Sequence, residues 1–223
     1  MAIILDTNGI TFGDSTLQTS KYDGITDVGG LINITSFTAT GTWYKPAGCN
    51  TVLVKLVGGG GGAAGYCESG GAGGYSEKVV DVSGVTSVAV TVGGGGASVA
   101  YYAAAADGGT SSFGSYCSAT GGYGANRNYS HTGGVSGVGS SGNINLYGGL
   151  GTGHASGGNH FPASQGGGSY FGSSGKINRA TTSNKLYNGA PGTGGPGARA
   201  QDGAGGAGIA NGEGGLVIVY AYA

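Results

Sequence analysis

Charge is what this chain has least of. Lys, Arg, Asp and Glu make up 9% of its 223 residues, and residues 108–201 contain no Asp or Glu at all. Glycoside hydrolysis commonly uses two carboxylates roughly 5–10 Å apart, whereas this stretch has only Asp107 and Asp202 at its margins. No serine sits in a GxSxG elbow. The three cysteines (Cys49, Cys67 and Cys117) and three histidines lack zinc-binding spacing. Free thiols from a reducing compartment are the expectation. Neither enzymatic activity nor a metal or cofactor is expected.

Long apolar runs are missing too, and none approaches the ~18–20 residues of a membrane span. The opening MAIILDTNGI has no basic flank or cleavage site, so no signal peptide is expected. A net charge of −1 gives no reason to expect nucleic acid as a partner. Helix signals are almost absent: AYYAAAAD (100–107) would make one or two turns at most.

Glycine is what the chain has instead. It supplies 56 residues, about a quarter, against a usual share of roughly 7%. Residues 57–75, VGGGGGAAGYCESGGAGGY, place it directly after the strand pattern TVLVKLV. Such composition often means disorder, but disordered chains are short of aromatics. Here fourteen tyrosines and five phenylalanines are spread among the glycines, which points to an ordered chain with glycine as a packing device.

The pattern predicts a mainly β protein. The first thirty residues form an extended or hairpin segment signalled by Asn8-Gly9. Residues 31–92 with 215–223 supply a small antiparallel β scaffold, with strands over LINITSFTATGTWYKP, TVLVKLV, YSEKVVDV, VTSVAVTV and the final GLVIVYAYA. Residues 93–214 show neither helix nor strand period. A structureless loop of that length is unusual. Packed polyproline-II-type helices, with three residues per turn and no internal hydrogen bonds, would use such a sequence. Glycine lets neighbouring backbones approach closely, and the absence of a strict G-X-Y repeat excludes collagen.

Larger side chains appear in this insertion as clusters between glycine runs. The candidate binding residues are Tyr101 and Tyr102; Tyr116, Tyr123, Arg127, Tyr129 and His131; Tyr147; His160 and Phe161; Tyr170 and Phe171; and Arg179, Lys185 and Tyr187. Tyr, Ser, Gly and Asn dominate, a palette of rigid amphipathic rings and adaptable hydrogen bonding that paratopes also use. Residues 108–201 carry five basic side chains and no acid, which favours an anionic ligand. The plainer reading is that the rings fill a small core and the cations serve solubility.

GITFGDSTLQTS (9–20) resembles a motif of bacteriophage tail fibres, with Ser15 where glycine is usual. The stretch from GTWYKPAGCNTVLVKLVGGGGGAAG to GEGGLVIVYAYA is similar to the glycine-rich domain of such fibres, and to the distal adhesins of T-even-like phages with their polyglycine-II helices. The resemblance implies a receptor-binding protein of the virion tail, made in the host cytoplasm. It would attach through its N-terminal segment to other tail proteins, as a homotrimer. A bacterial surface glycan or outer-membrane protein would be its target. A purely structural virion component is the alternative. Ice binding is a more distant one, which the irregular Tyr/Asn/Arg clusters suit poorly.

Overall fold

The computed structural model describes residues 30–65, 68–99, 103–126, 132–153, 164–175, 189–197 and 209–223, and the backbone of five short strands outside these. The first three are β1 (Ile4–Asp6), β2 (Gly9–Thr11) and β3 (Leu17–Gln18). They form a sheet of their own, with Ile4 opposite Thr11 and Asp6 opposite Gly9, so that Gly9 is paired within β2 and residues 7 and 8, rather than the Asn8-Gly9 pair, separate the two strands. Next come β4 (Leu31–Phe37), β5 (Gly41–Tyr44), β6 (Thr51–Val57), β7 (Tyr75–Asp81), β8 (Ser87–Thr91) and β9 (Ser111–Phe113). Then follow β10 (Cys117–Ala119), β11 (Gly139–Ser140), β12 (Ile144–Leu146), β13 (Lys176–Asn178), β14 (Lys185–Tyr187) and β15 (Leu216–Tyr222). The protein is mainly β, with no helix among the described residues. It follows that no described helix is long and apolar enough to cross a membrane.

Two five-stranded antiparallel sheets make a sandwich. The first has the order β12-β7-β6-β15-β4 and the second β11-β10-β9-β8-β5. Alternation does the sorting. Val52, Val54 and Leu56 of β6 and Val217, Val219 and Ala221 of β15 point inward, against Trp43, Val88, Val90, Phe113, Cys117 and Ala119 of the second sheet. Trp43 meets Phe113 edge to face, with ring centroids 5.7 Å apart. Between β5 and β6, the Cys49 amide donates to the Pro46 carbonyl at 3.2 Å, and Gly48 takes φ +78°. That is the geometry of a type II turn.

The strands run on into glycine. Among the described residues ten extended rods follow or precede them: rod 1 (58–64), rod 2 (69–74), rod 3 (93–99), rod 4 (104–109), rod 5 (120–125), rod 6 (133–138), rod 7 (147–152), rod 8 (164–168), rod 9 (192–197) and rod 10 (209–215). Their hydrogen bonds rotate with a period of three. Gly58, Gly59 and Gly60 donate to Gly74, Gly109 and Glu213; Gly61, Gly62 and Ala63 then donate to Gly71, Ala106 and Ala210, in the same three rods. Threefold rotation without bonds inside the rod is what polyproline-II geometry presents.

Rod 1 bonds to rods 2, 3, 4, 5, 9 and 10, and rod 2 to rods 1, 5, 6, 7, 8 and 9. Two inner rods with six neighbours each, sharing rods 5 and 9, fix a lattice of three layers: 4-5-6, then 3-1-2-7, then 10-9-8. Glycine is dictated by this spacing. A Cβ on Gly60 would overlap the Thr193 carbonyl, and one on Gly61 the Tyr123 carbonyl. Outer rods have one free direction in three, and there Tyr123, Val135 and Leu150 reach solvent.

Strands β9 to β12 lie within 93–214 and complete both sheets, while rods 1 and 2 lie within 31–92. Sandwich and bundle are interleaved along the chain. Strands of two or three residues are too short to show a period.

Candidate functional site

The rods alternate in direction. Rod 1 leaves β6 and rod 2 returns to β7; rods 3 and 4 do the same from β8 to β9, rods 5 and 6 from β10 to β11. Rod 7 leaves β12 and rod 10 enters β15. Consequently five connections, 65–68, 100–103, 126–132, 153–163 and 198–208, all begin and end at the end of the bundle away from the sheets. The connection between rods 8 and 9, which includes β13 and β14, lies at the other end.

Hydrogen bonds tie the feet of the far-end connections together. The Ala64 amide donates to the Glu68 carbonyl at 3.0 Å, Gly65 to Val99 at 3.0 Å, Ala105 to Ala125 at 2.9 Å and Ser164 to Gly197 at 2.8 Å. Ser69 is the densest of these ties. Its buried hydroxyl donates to the Gln165 carbonyl at 2.6 Å and accepts from the Thr152 amide at 2.7 Å, while the Thr152 hydroxyl also donates to Gln165 at 3.1 Å. Rods 2, 7 and 8 are thereby fixed where 154–163 departs and returns. Asn211 accepts from the Ser98 amide at 2.8 Å and Asp107 from Gly124 at 2.8 Å, linking rod 10 to 3 and rod 4 to 5. Sequence reading passed over these small polar residues, whose only signal is a hydroxyl or amide at the edge of a glycine run.

The candidate residues separate into groups along this axis. Tyr101, Tyr102, Arg127, Tyr129, His131, His160 and Phe161 belong to far-end connections and lie outside the described residues. Tyr123 stands on the outer face of rod 5, 54% exposed. At the sandwich end, Tyr147 begins rod 7 and is open to solvent. Arg179 lies outside the described residues, and Lys185 and Tyr187 are described as backbone of β14.

Three rings spend part of their surface on packing. Tyr116 packs half-buried beside Phe113 on the rim of the core, with centroids 6.0 Å apart, and its carbonyl accepts from Lys78 at 2.9 Å. Tyr170 stacks on buried Tyr75 at 3.6 Å and 13°, and Phe171 meets both rings edge-on. Tyr75 donates its hydroxyl to Glu77, which also pairs with Lys55 at 3.6 Å. Burial, and then the bond to Glu77, hold the Tyr75 phenol well above its ordinary range. The structure therefore does not bring all fifteen candidates into one surface.

Among the described residues no cluster of three His, Cys, Asp or Glu side chains could hold a metal ion. The family model for the glycine-rich domain matches residues 35–218. The chain belongs to that family. Its glycine-rich domain thus runs from Thr35 in β4 to Ile218 in β15 and takes in all ten rods. No curated protein matches the chain.

Proposed function

We propose that this glycine-rich domain protein is the receptor-binding part of a bacteriophage tail fibre, and that it adsorbs to a bacterial surface through its far-end connections. The observation that carries the reading is the convergence of five connections on one end of a rigid lattice. Their sequences hold Tyr66, Tyr101, Tyr102, Arg127, Tyr129, His131, His154, His160, Phe161 and Arg199. Loops on a rigid scaffold are where recognition usually resides. Between them the lattice imposes glycine and leaves few side chains free, so variation in binding falls to the turns.

Binding is non-covalent in this reading. Rings cover sugar faces or apolar patches of an outer-membrane protein, and Arg127 and Arg199 engage phosphates or acidic sugars of lipopolysaccharide. Residues 1–30 attach to other tail proteins and join three copies, and several fibres per virion multiply weak contacts into avidity. A structural virion component is the second reading, favoured by the packing of Tyr116, Tyr170 and Phe171.

The test is binding of fluorescently labelled protein to a panel of bacterial strains. A far-end variant with Tyr101, Tyr102, Tyr129 and Phe161 changed to alanine is compared with a near-end variant, Lys185→Ala with Tyr187→Ala. Strain-selective binding lost only in the far-end variant is expected. Equal loss in both variants, or no binding to any strain alongside association with tail particles, gives the structural reading.

A further inference from the structure

The outward side chains of rods 4 to 7 fall into register across the bundle. Each of these rods turns one residue in three towards this flank, and successive ones along a rod are ~9.3 Å apart. In rod 5 a Cβ on Gly121 or Gly124 would overlap rod 4 carbonyls, and one on Gly122 the Gly71 carbonyl of rod 2. Thr120 and Tyr123 are left to point out. In rod 6 Cβ atoms on Gly134 and Gly137 would meet rod 5, and one on Gly133 rod 7, which leaves Val135 and Val138. In rod 7 Gly148 and Gly151 face rod 2 and Gly149 faces rod 8, which leaves Tyr147 and Leu150. Backbone bonds then fix the heights. Tyr123 donates its amide to the Val135 carbonyl at 2.8 Å, and Gly151 to Gly134 at 2.9 Å, so Tyr123, Val135 and Leu150 are level. Thr120 donates to Val138 at 3.0 Å, and Val138 bridges to Tyr147, which makes a second row nearer the sheets. Bonds from Ala105 to Ala125 and from Gly108 to Gly122 set Asp107 of rod 4 level with Tyr123.

Tyr123 is 54%, Val135 58%, Leu150 66% and Tyr147 76% exposed. Single exposed apolar residues are ordinary, whereas a contiguous group marks a contact surface. Its size limits the partner. Two rows ~9.3 Å apart on three hydrogen-bonded backbones ~4.8 Å apart cover roughly 270 Å². A stable protein partner buries about 800 Å² on each side, so this patch is too small for one. Charge limits it further. Asp107 is the one charged side chain in rods 4 to 7, and a carboxylate turns away the phosphates that arginines attract. Chemistry narrows it last. Tyr123 and Tyr147 each join an apolar ring to a hydroxyl. The Asp107 carboxylate accepts from the Gly124 amide at 2.8 Å and has acceptor capacity beyond that one bond.

We propose that the flank of rods 4 to 7 is a second binding site, which takes neutral sugar residues of a polysaccharide. The C–H faces of the sugars lie on the Tyr123 and Tyr147 rings and on Val135 and Leu150, and a sugar hydroxyl donates to Asp107. Neutral, small and amphipathic is the ligand that this combination of area, charge and side chains fits. The rods place the flank alongside the far-end connections, so one polysaccharide can offer anionic groups to the turns and uncharged sugars to the flank. The site rests on the tail-fibre reading only in taking that polysaccharide to be bacterial.

The experiment titrates the full chain, methyl-labelled at valine and leucine, with purified neutral polysaccharides from the bacterial panel and follows the methyl resonances. Two flank variants, Tyr123→Ala and Leu150→Ala, are compared with the far-end variant lacking Tyr101, Tyr102, Tyr129 and Phe161. Both flank side chains are exposed, far-ultraviolet dichroism reports folding, and either variant serves if the other does not fold. At least one polysaccharide is expected to shift the Val135, Val138 and Leu150 methyls. Each flank variant should weaken that binding at least fivefold, and the far-end variant should leave it within twofold. Unmoved flank methyls with every polysaccharide overturn the proposal, as does undiminished binding in the folded flank variants. If only the far-end variant loses the polysaccharide, the turns read the sugar, and the flank site fails while the tail-fibre reading stands. If the flank binds polysaccharide but the labelled protein adsorbs to no strain, the tail-fibre reading fails and the flank site stands. Flank methyls that move with tail proteins and not with polysaccharide give the surface to a protein partner and sink the proposal.

Discussion

Gly61 donates its amide to the carbonyl of Gly71 at 2.9 Å, joining the two rods that are surrounded on all six sides. No side chain fits between them. An alanine Cβ at Gly61 would overlap the Tyr123 carbonyl, and backbone in a lattice cannot swing away as a side chain tip can. Gly61→Ala is expected to cost on the order of 3 kcal/mol or more, at the upper end of overpacking effects. Gly94, on outer rod 3, is exposed with nothing within 4 Å of its would-be Cβ. Gly94→Ala should be neutral or stabilise by about 0.4–1 kcal/mol, by reducing the freedom of the unfolded chain. Urea unfolding of both variants decides it; equal effects would mean the lattice does not discriminate inner from outer positions.

Gly48 tests a different need for glycine. Its would-be Cβ also meets nothing within 4 Å, yet its φ of +78° is one that side chains disfavour. Gly48→Ala should therefore destabilise by roughly 1–2 kcal/mol through backbone strain alone. Gly48→Asn should recover part of that, because Asn tolerates the left-handed region. Unfolding midpoints of the two variants give the comparison, and an Ala variant as stable as wild type would refute the strain account.

How far the sequence could be read follows from the same distinction. The alternation in TVLVKLV and GLVIVYAYA marked β6 and β15, and a glycine run after a strand marked rods 1 and 3. The layers were not legible, because each rod's partners are set by backbone passing through distant parts of the chain. Gly121-Gly122-Tyr123, Gly133-Gly134-Val135 and Gly148-Gly149-Leu150 do show the signature of an outer rod, two glycines inward and one side chain out. Rod 1, with five consecutive glycines, shows that of an inner one. The candidate site was legible as residue types but not as an arrangement. Tyr129 and Tyr170 look alike in sequence; only the count of passes through the bundle puts Tyr129 in a far-end connection and Tyr170 beside the sheet.

Tyr170 offers a way to check that separation. Its stack on Tyr75 is worth about 0.5–1.5 kcal/mol beyond the area it covers. Tyr170→Ala should lower stability by roughly that amount or somewhat more, and leave binding to bacteria unchanged. Chemical denaturation and the strain-binding assay on one preparation read both. Intact stability with lost binding would return Tyr170 to the receptor surface.

Cys117 makes stability depend on pH in a predictable direction. The residue is 2% exposed, and burial pushes its thiol up to about 11, against weaker opposing effects of Lys78 and Ser76. An unfolded cysteine ionises near 8.5. A folded value above the unfolded one means that the stabilisation is complete below pH ~8.5 and is lost as pH rises towards 11. The rise from ~8.5 to about 11 corresponds to roughly 3 kcal/mol at most. Cys117→Ala sacrifices some packing at every pH but removes this slope. The raised Tyr75 phenol contributes at the alkaline end in both proteins, so the difference between them isolates the thiol. Unfolding free energies at pH 7, 9 and 11 should therefore converge for wild type and variant as pH rises. Parallel curves would mean that Cys117 ionises in the folded protein as readily as in the unfolded chain, and that the core around Phe113 admits water.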